Sequence, residues 1–447
     1  MCGILITNSD ITGLDNTLLD FRGPDYSQTL NKEGVTFLQT LLSITGEFTK
    51  QPIEKDGVVF LFNGEVYNYN LVKNYPSDIY FIIDMYFKYG EDYVKHLDGE
   101  FAIVIADYKK NILYFASDIF GTKPIHYSIK GGSFGISSYR EPLNDLKFSE
   151  IKRAEPSTLY KVDLKTNQLI EKKRYFNFKL EQTKTDFNDW EDSFLEAIKK
   201  RFKNIDKEVI LPLSSGFDSG AILCAFNILD IKFHSFSFYN YEHKKVLDKR
   251  IQRVAPPNKS YRKEKLTPEE RDYAKNLIKS RCSDFFYGPD LNDKNYTFNG
   301  LNDAGSHGLA YLLDYIKKEN PGIKIMASGH GADEIMSNIQ TYTFGKPNPE
   351  NFPKNLEEVF PWENFYIGTQ SSYLYKEESI SGGFGIEGRY PFLDKDVVQE
   401  YLFLDSKLKN STFKSPIVNF LKRNKFPYRK KSFRFPNNEN LKSGFNA

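Results

Sequence analysis

A short turn rich in serine and glycine, Ser214-Ser215-Gly216-Phe217-Asp218-Ser219, is the feature that most limits how this chain can fold. It joins a predicted buried strand, Glu208 to Leu213, to an apolar helical run that begins near Gly220. In such a strand–turn–helix unit, backbone N–H groups and the helix N-terminus can surround phosphate oxygens, and Asp218 can hold Mg²⁺ against them. The turn therefore predicts a site for a nucleotide pyrophosphate. The alternative, from these residues alone, is an ordinary turn in which Asp218 or Ser219 caps the helix.

Length and charge limit the class of protein. With 447 residues the chain is too long for one ordinary hydrophobic core, and we expect two domains. Because 61 basic residues are matched by 59 acidic ones, the formal net charge is +2, and no overall field would recruit nucleic acid or an anionic membrane. The Lys/Arg-rich end, Lys422 to Arg434, is a local exception. No apolar stretch approaches the ~20 residues of a membrane span. We expect neither a nucleic-acid nor a membrane partner.

The cysteines indicate the cellular compartment. Cys2, Cys224 and Cys282 lie far apart and form neither a metal-ligand spacing nor a disulfide framework. This usage favours a reducing compartment, and we expect a cytoplasmic protein.

The pattern along the chain changes once. Short strands dominate from residue 1 to about 178, and only Asp78 to Tyr89 has a clear helical pattern, which is typical of stacked antiparallel sheets. After a polar stretch, Lys179 to Asp189, strands alternate with helices, as in an α/β domain with a parallel sheet. The predicted elements there are Glu208 to Leu213, Ala221 to Ile228, Phe233 to Phe238, Leu309 to Lys318 and Ile323 to Ala327. We predict two domains, 1–178 and 188–447.

Cys2 is a candidate nucleophile. It follows the initiator Met1, so removal of Met1 would leave a thiol beside a free α-amino group. An amino terminus has an ordinary pKa of about 8 and can accept the thiol proton directly or through water. Taken alone, Cys2 is better explained as a buried, inert cysteine.

Further segments of the N-terminal region support the nucleophile. In order, they are Arg22-Gly23-Pro24-Asp25, Asn63-Gly64-Glu65-Val66-Tyr67-Asn68, Ser77-Asp78, Asp98-Gly99-Glu100-Phe101-Ala102 and Ser117 to Pro124. They resemble the glutaminase domain of asparagine synthetase. The resemblance implies that Cys2 attacks the glutamine amide, that Asn63 and the Gly64 N–H form the oxyanion hole, and that Glu65 and Asp78 receive the α-amino group. From the residues alone, Asn63-Gly64 could also be a hairpin turn.

One position departs from the family pattern. The family places an arginine before a small-residue turn to bind the α-carboxylate of glutamine, and Leu41 stands at that place here. Loss of such a charge-assisted contact costs about 1.5 to 3 kcal/mol unless another cation replaces it. The identity of the nitrogen donor is therefore open.

Two further signatures extend the resemblance to nearly the whole chain. Ala327 to Glu334 and Gly385 to Asp394 match the second and third signatures of the glutamine-hydrolysing asparagine synthetases. The implied fold is α+β and α/β, with an N-terminal-nucleophile (Ntn) type antiparallel β-sandwich followed by a parallel-sheet ATP-pyrophosphatase domain. The implied chemistry uses ATP to form an acyl-adenylate, which an amine then attacks.

The resemblance also implies the residues of the second site. Asp218 and Asp333 would hold Mg²⁺. The ATP-binding residues would be Leu213, Ser214, Ser215, Gly216, Asp218, Ser219, Ser237, Ser328 and Gly329. Lys430 would stabilise the charge of the transition state, although the register leaves Lys431 open and the basic run could also be a solvated tail.

His330 is the second departure. Asparagine synthetases have a glutamate at this position, beside the reacting acyl group. A neutral imidazole can deprotonate an ammonium nucleophile, and Glu387 could orient it. A structural histidine that bonds the backbone is equally compatible with the sequence.

These residues predict a glutamine-dependent, ATP-consuming amidation of a carboxylate, with aspartate as the default substrate. The alternative is an ATP-dependent amide ligase, or a macrolactam or peptide cyclase, which takes a peptide or other amine and has a structural N-terminal domain. A binding protein without activity would require decay of Asp218, Asp333 and Glu387, all of which are present. The sequence leaves the oligomeric state open, a homodimer included.

Overall fold

The computed structural model describes residues 1–71, 73–203, 205–239, 242–287, 298–336 and 351–428. These residues form two compact units. The first consists of Met1–Asn177 with two later segments, Arg281–Asp284 and Ser381–Glu387, and the second contains the remaining described residues. The domain limits at 178 and 188 stay a prediction.

The first unit is built mainly of strands. The strands are β1 Gly3–Thr7, β2 Tyr26–Lys32, β3 Val35–Leu41, β4 Ile53–Lys55, β5 Val58–Val66, β6 Gly99–Asp107, β7 Ile112–Ser117, β8 His126–Lys130, β9 Ser133–Ser137, β10 Lys152–Arg153, β11 Thr158–Asp163 and β12 Gln168–Arg174. The helices are α1 Thr17–Arg22, α2 Asp78–Tyr89, the 3₁₀ segment Gly90–His96 and α3 Glu141–Asp145.

Two six-stranded sheets form from these strands, in the orders β10-β8-β9-β1-β3-β2 and β12-β11-β7-β6-β5-β4. Neighbouring strands pair antiparallel in both sheets. Apolar side chains of the two sheets meet in one core, with Ile4 and Phe37 from the first and Leu61, Val104 and Phe115 from the second. The predicted antiparallel β-sandwich is confirmed.

Strand β6 is buried on both faces. Val104 and Ala106 join the core between the sheets, whereas Ile103 and Ile105 belong to a second core that includes side chains of α2. Because successive side chains of a strand point to opposite faces, a strand covered on both sides is apolar throughout. Helix α2 has the bounds predicted for it, Asp78–Tyr89.

The second unit combines helices with short strands. The helices are α4 Asn188–Phe202, α5 Phe217–Leu229, α6 Lys244–Ile251, α7 Pro268–Arg281, α8 Ala304–Glu319, α9 Ala332–Met336, α10 Glu363–Tyr366, α11 Gly368–Gly383, α12 Lys395–Phe403, α13 Ser406–Lys409 and α14 Ser415–Arg423, with 3₁₀ turns at Leu356–Glu358 and Pro391–Leu393. The strands are β13 Glu208–Pro212, β14 His234–Phe238, β15 Ser260–Lys263, β16 Phe286–Tyr287, β17 Phe298–Asn299, β18 Ile323–Ala327 and β19 Glu387–Arg389.

The main sheet of this unit has the order β15-β14-β13-β18-β19. Strand β13 pairs in parallel with β14 on one side and with β18 on the other, and β14 pairs in parallel with β15. The predicted parallel sheet is confirmed. The carboxyl ends of β13, β14 and β18 meet at one edge, where ligands of open α/β sheets bind.

In the described ranges, no helix combines the length and the apolar character that a membrane span requires.

Candidate active site

Cys2 lies in the first unit, immediately before β1. Its side chain is buried, its backbone N–H donates to Oδ1 of Asn63 at 2.6 Å, and its carbonyl accepts from Nε of Arg22 at 2.9 Å. Burial raises the pKa of the Cys2 thiol, while the nearby N-terminal ammonium and hydrogen bonds from Leu42 and Gln39 act in the opposite direction. The thiol therefore needs a base before it can act as a nucleophile.

The amino terminus itself is occupied. The α-ammonium of Met1 lies 2.8 Å from Oε2 of Glu387, and both residues are buried. Glu387 therefore contacts the chain terminus beside Cys2, within the first unit.

Asn63 and Gly64 lie inside β5, where they pair with Ala102 and Phe101 of β6. The hairpin-turn alternative is therefore wrong. Oδ1 of Asn63 accepts from Cys2, whereas its Nδ2 is buried and has no hydrogen-bond partner among the described residues. Gly64 has φ +127°, and a side chain there would collide with the carbonyl of Glu100. An unpaired N–H donor beside the nucleophile is what a developing oxyanion requires.

Two carboxylates lie at the end of β5, the strand that holds Asn63. Thr45 donates to Oε1 of Glu65 at 2.9 Å, and the N–H of Val66 donates to Oδ2 of Asp78 at 3.1 Å. Burial, and then the charge of Glu65, raise the pKa of Asp78 well above its usual range. A bound ammonium would relieve this repulsion, as the expected contact with an α-amino group requires.

Leu41 is the last residue of β3 and is buried. An apolar side chain therefore takes the position where the family pattern has an arginine.

The Ser/Gly turn of the second unit connects β13 to α5, as predicted. Ser219 Oγ accepts from the N–H of Ser214 at 3.1 Å, and the N–H of Leu213 donates to the carbonyl of Phe236 at 2.8 Å. The N–H and hydroxyl of Ser215 both donate to one carboxylate oxygen of Glu242.

Arg250 binds the backbone of this turn. Its Nη1 donates to the carbonyls of Ser214 at 2.6 Å and Gly216 at 2.5 Å, and its Nε donates to the carbonyl of Pro427 at 3.0 Å. Burial lowers the pKa of Arg250 to about 10, although Glu242 and Asp218 oppose the shift. The guanidinium fixes two carbonyls of the turn from one side.

The two expected metal ligands lie together. Nζ of Lys414 is 2.7 Å from both carboxylate oxygens of Asp218 and 2.8 Å from Oδ1 of Asp333. Burial raises the pKa of Asp218 to about 6, although Lys414 opposes the shift. Burial would lower the pKa of Lys414, but the two carboxylates raise it.

These oxygens fit a divalent cation. Asp218 and Asp333 both contact a single ammonium, so one ion can reach both, and carboxylate oxygens are the ligands that Mg²⁺ prefers. Across the part of the chain that the structure describes, no group of three or more His, Cys, Asp or Glu residues could hold a metal. Phosphate oxygens or water would therefore complete the coordination.

The site also fits a nucleotide. Ser237, in β14, is buried, and its Oγ has no hydrogen-bond partner within the described ranges. A Cβ at Gly329 would lie 2.8 Å from that of Asp218, so the loop after β18 approaches the Ser/Gly turn as closely as glycine permits. Ser328 Oγ donates to Glu377 Oε2 at 2.6 Å and accepts from the N–H of His330 at 3.1 Å.

His330 is held by a different partner from the one expected. Its Nε2 lies 3.1 Å from the carbonyl of Gln370, and because a carbonyl can only accept, Nε2 carries the proton. Nδ1 makes no hydrogen bond to a described residue. Burial lowers the pKa of His330, and Glu377 opposes the shift. The expected pairing with Glu387 is wrong, since Glu387 binds the Met1 amine.

Several contacts with the Ser/Gly turn were not predicted from the sequence. Lys414, Glu242 and Arg250 come from segments 196, 27 and 36 residues away from the atoms they contact in the turn, and no spacing rule links them. Glu377 lies in α11, a helix that was not predicted. Lys430 and Lys431 lie outside the described residues.

Comparison with known proteins shows what the chain is similar to. Residues 1–178 match the family model of the glutamine amidotransferase domain. The solved structure of glutamine phosphoribosylpyrophosphate amidotransferase from B. subtilis has a TM-score of 0.34 at 12% identity, and the match covers 52% of this chain and 65% of that one.

Curated relatives extend the match beyond this domain. A Methanocaldococcus jannaschii protein, whose name assigns it to the glutamine-hydrolysing asparagine synthetases, is 25% identical over 78% of this chain and 65% of its own length. Asparagine synthetase 1 of Arabidopsis thaliana, also named as glutamine-hydrolysing, is 26% identical over 78% of this chain and 58% of its own length. Over this length the chain is similar to the glutamine-hydrolysing asparagine synthetases. It spans less than two thirds of the length of these two relatives.

Proposed function

We propose that this protein uses glutamine and ATP to amidate a carboxylate through an acyl-adenylate, with aspartate as the default acceptor. The observation that carries the proposal is the meeting of Asp218 and Asp333 around one ammonium at the carboxyl edge of a parallel sheet. This edge is where a nucleotide and its cation bind in such sheets.

In the first site, removal of Met1 gives Cys2 an α-amine that takes the thiol proton. The thiolate then attacks the amide carbon of glutamine, and the N–H donors of Asn63 and Gly64 hold the charge on the oxygen. The α-ammonium returns this proton to the amide nitrogen as the carbon–nitrogen bond breaks and ammonia leaves, and water then hydrolyses the thioester to glutamate and the free thiol. Glu65 and Asp78 bind the ammonium of the donor.

In the second site, the proposed ATP contacts are the Ser/Gly turn, Leu213, Ser237, Ser328 and Gly329. Mg²⁺ on Asp218 and Asp333 would neutralise phosphate charge. A carboxylate oxygen of the acceptor attacks the α-phosphorus, and pyrophosphate leaves. Ammonia then attacks the acyl carbon, loses a proton, and displaces AMP.

The test traces nitrogen and nucleotide together. The protein is incubated with ATP, Mg²⁺, amide-¹⁵N glutamine and candidate acids, and the products are separated by mass spectrometry. We expect AMP, pyrophosphate and a ¹⁵N-labelled amide, with Asp218→Asn and Asp333→Asn each suppressing pyrophosphate. ADP as the nucleotide product would rule out adenylation.

A second function, the ATP-dependent amide ligase or peptide cyclase, is favoured by the state of His330. Its protonated Nε2 is bound to a carbonyl, which leaves Nδ1 as an unpaired base in the second site. In this case a peptide or other amine replaces ammonia, and the N-terminal domain is structural. Amine-dependent pyrophosphate release without ¹⁵N transfer would identify this reaction.

The proposal requires only small-molecule partners in the first case: glutamine, ATP and a carboxylate. We place the protein in the cytoplasm, which is consistent with Cys2, Cys224 and Cys282 being buried and unpaired. A homodimer stays a prediction.

A further inference from the structure

Lys414 is bound where a metal ion is expected. Its ammonium contacts both oxygens of Asp218 at 2.7 Å and one oxygen of Asp333 at 2.8 Å, and its side chain is only 3% exposed. The residue has φ 47° and ψ 51°, a left-handed conformation that lysine rarely adopts. A strained backbone that places one buried cation between two carboxylates indicates a specific role.

Glu242 makes the complementary contact with the same turn, at Ser215. One of its carboxylate oxygens accepts from both the N–H and the hydroxyl of Ser215. An N–H and a hydroxyl converging on one anionic oxygen is the arrangement by which such turns bind phosphate. The turn is therefore already bound to an anion that belongs to the protein.

We propose that the nucleotide-free site is occupied by the protein's own charges: the Lys414 ammonium takes the place of the divalent cation, and the Glu242 carboxylate takes the place of a phosphate. When the metal–nucleotide complex binds, the metal ion replaces the Lys414 ammonium and a phosphate replaces the Glu242 carboxylate. The inference rests on the proposed nucleotide site and adds that neither ion binds well alone, because each must displace an internal partner of the same sign.

The cation half is tested with Mn²⁺ in the absence of nucleotide, measured by electron paramagnetic resonance on the full chain. Wild type should bind Mn²⁺ weakly. Lys414→Met removes the competing charge and should bind Mn²⁺ at least about tenfold more tightly, since like charges this close repel strongly. Lys414→Arg keeps the charge and should resemble wild type, as should Lys422→Met in α14, the helix that follows Lys414.

The anion half uses inorganic pyrophosphate without metal, measured by calorimetry. Glu242→Gln keeps the shape of the side chain but not its charge, and should bind pyrophosphate at least about tenfold more tightly than wild type. Glu264→Gln, which alters an exposed carboxylate paired with Lys244, is the control. An unchanged affinity in Glu242→Gln would overturn this half.

Mn²⁺ binding to wild type as tight as to Lys414→Met would overturn the cation half, as would tight binding to Lys414→Arg. If Lys414→Met does not fold, thermal melting of wild type replaces it. Mn²⁺ alone should then leave the melting temperature unchanged, whereas Mn²⁺ with a non-hydrolysable ATP analogue should raise it. A higher melting temperature with Mn²⁺ alone would contradict the proposed replacement of Lys414 by the metal ion. An unchanged melting temperature with Mn²⁺ and the ATP analogue together would contradict the proposed nucleotide site itself.

Discussion

The α-ammonium of Met1 and the carboxylate of Glu387 form an ion pair at 2.8 Å in which neither partner reaches solvent. While this pair exists, the nitrogen of Cys2 is an amide that donates to Asn63 and cannot accept a proton. We therefore expect the first site to be inactive in the unprocessed chain, and removal of Met1 to create the base and release Glu387.

We expect protein that retains Met1 to hydrolyse glutamine at least ~10²-fold more slowly than processed protein, because a positioned base contributes about that much. Mass spectrometry of the N-terminus and glutamate release are measured on the same samples. Cys2→Ala should lose hydrolysis and keep ammonia-dependent synthesis, and Cys224→Ala should keep both. Equal hydrolysis with and without Met1 would exclude the α-amine as base.

Asn63→Ala removes the unpaired Nδ2 donor. Because this N–H would bind the oxygen only as charge develops, kcat for glutamine hydrolysis should fall ~10²- to 10³-fold with little change in KM. Asn31→Ala, on an exposed part of β2, is the matched control. A change confined to KM would assign Asn63 to substrate binding instead.

His330→Glu separates the two proposed reactions. For an amine ligase the change should lower turnover ~10²- to 10⁴-fold while adenylate formation persists, whereas glutamine-dependent amidation of aspartate should survive. Since burial lowers the pKa of His330, the imidazole is neutral at pH 7, and ligase activity should decline only as the pH falls through that lowered value. Glu377→Gln removes a charge that raises this pKa, so the acid limb should move to lower pH. An acid limb that moves to higher pH would contradict the assignment of His330 as the base.

Asp394→Asn should destabilise the second unit. Lys200 and Arg201 each lie 2.5 Å from Oδ2 of Asp394 and hold its pKa well below the usual range although burial opposes this. Removing one partner of a buried pair costs about 3 to 5 kcal/mol. A carboxylate with a lowered pKa stabilises the fold above its unfolded pKa of about 3.9, so the difference from wild type should shrink as the pH falls below that value.

Urea unfolding at pH 7 and near pH 3 measures this effect. The exposed neighbour provides the control: Asp396→Asn should change the unfolding free energy by less than about 1 kcal/mol. A penalty for Asp394→Asn that is as large at pH 3 as at pH 7 would mean that lost packing, not charge, is responsible.

Local patterns sufficed for much of the fold. The bounds of α2 and β18 were predicted from apolar spacing, and the Ser/Gly turn was placed between a strand and a helix. Each of these features depends on neighbouring residues, whose side-chain period is visible in the sequence.

The missed elements depend on tertiary contacts. Helix α11 begins and ends with glycine and has no apolar stripe, because its charged residues are buried in polar contacts such as that of Lys376 with Asp303. Strand β19 is three residues long and buried, although it contains Glu387 and Arg389. Neither buried charge could be recognised without its partner, and the partners lie far away in the sequence.

Arg250 has a consequence for the moment at which the proposed nucleotide site is completed during synthesis. Its guanidinium joins two carbonyls of the Ser/Gly turn to the carbonyl of Pro427, 177 positions later in the chain. On the ribosome, the turn and its strands are made long before Pro427 emerges. The turn therefore lacks this anchor until Pro427 has been made, and we expect shorter nascent chains neither to bind nor to consume nucleotide.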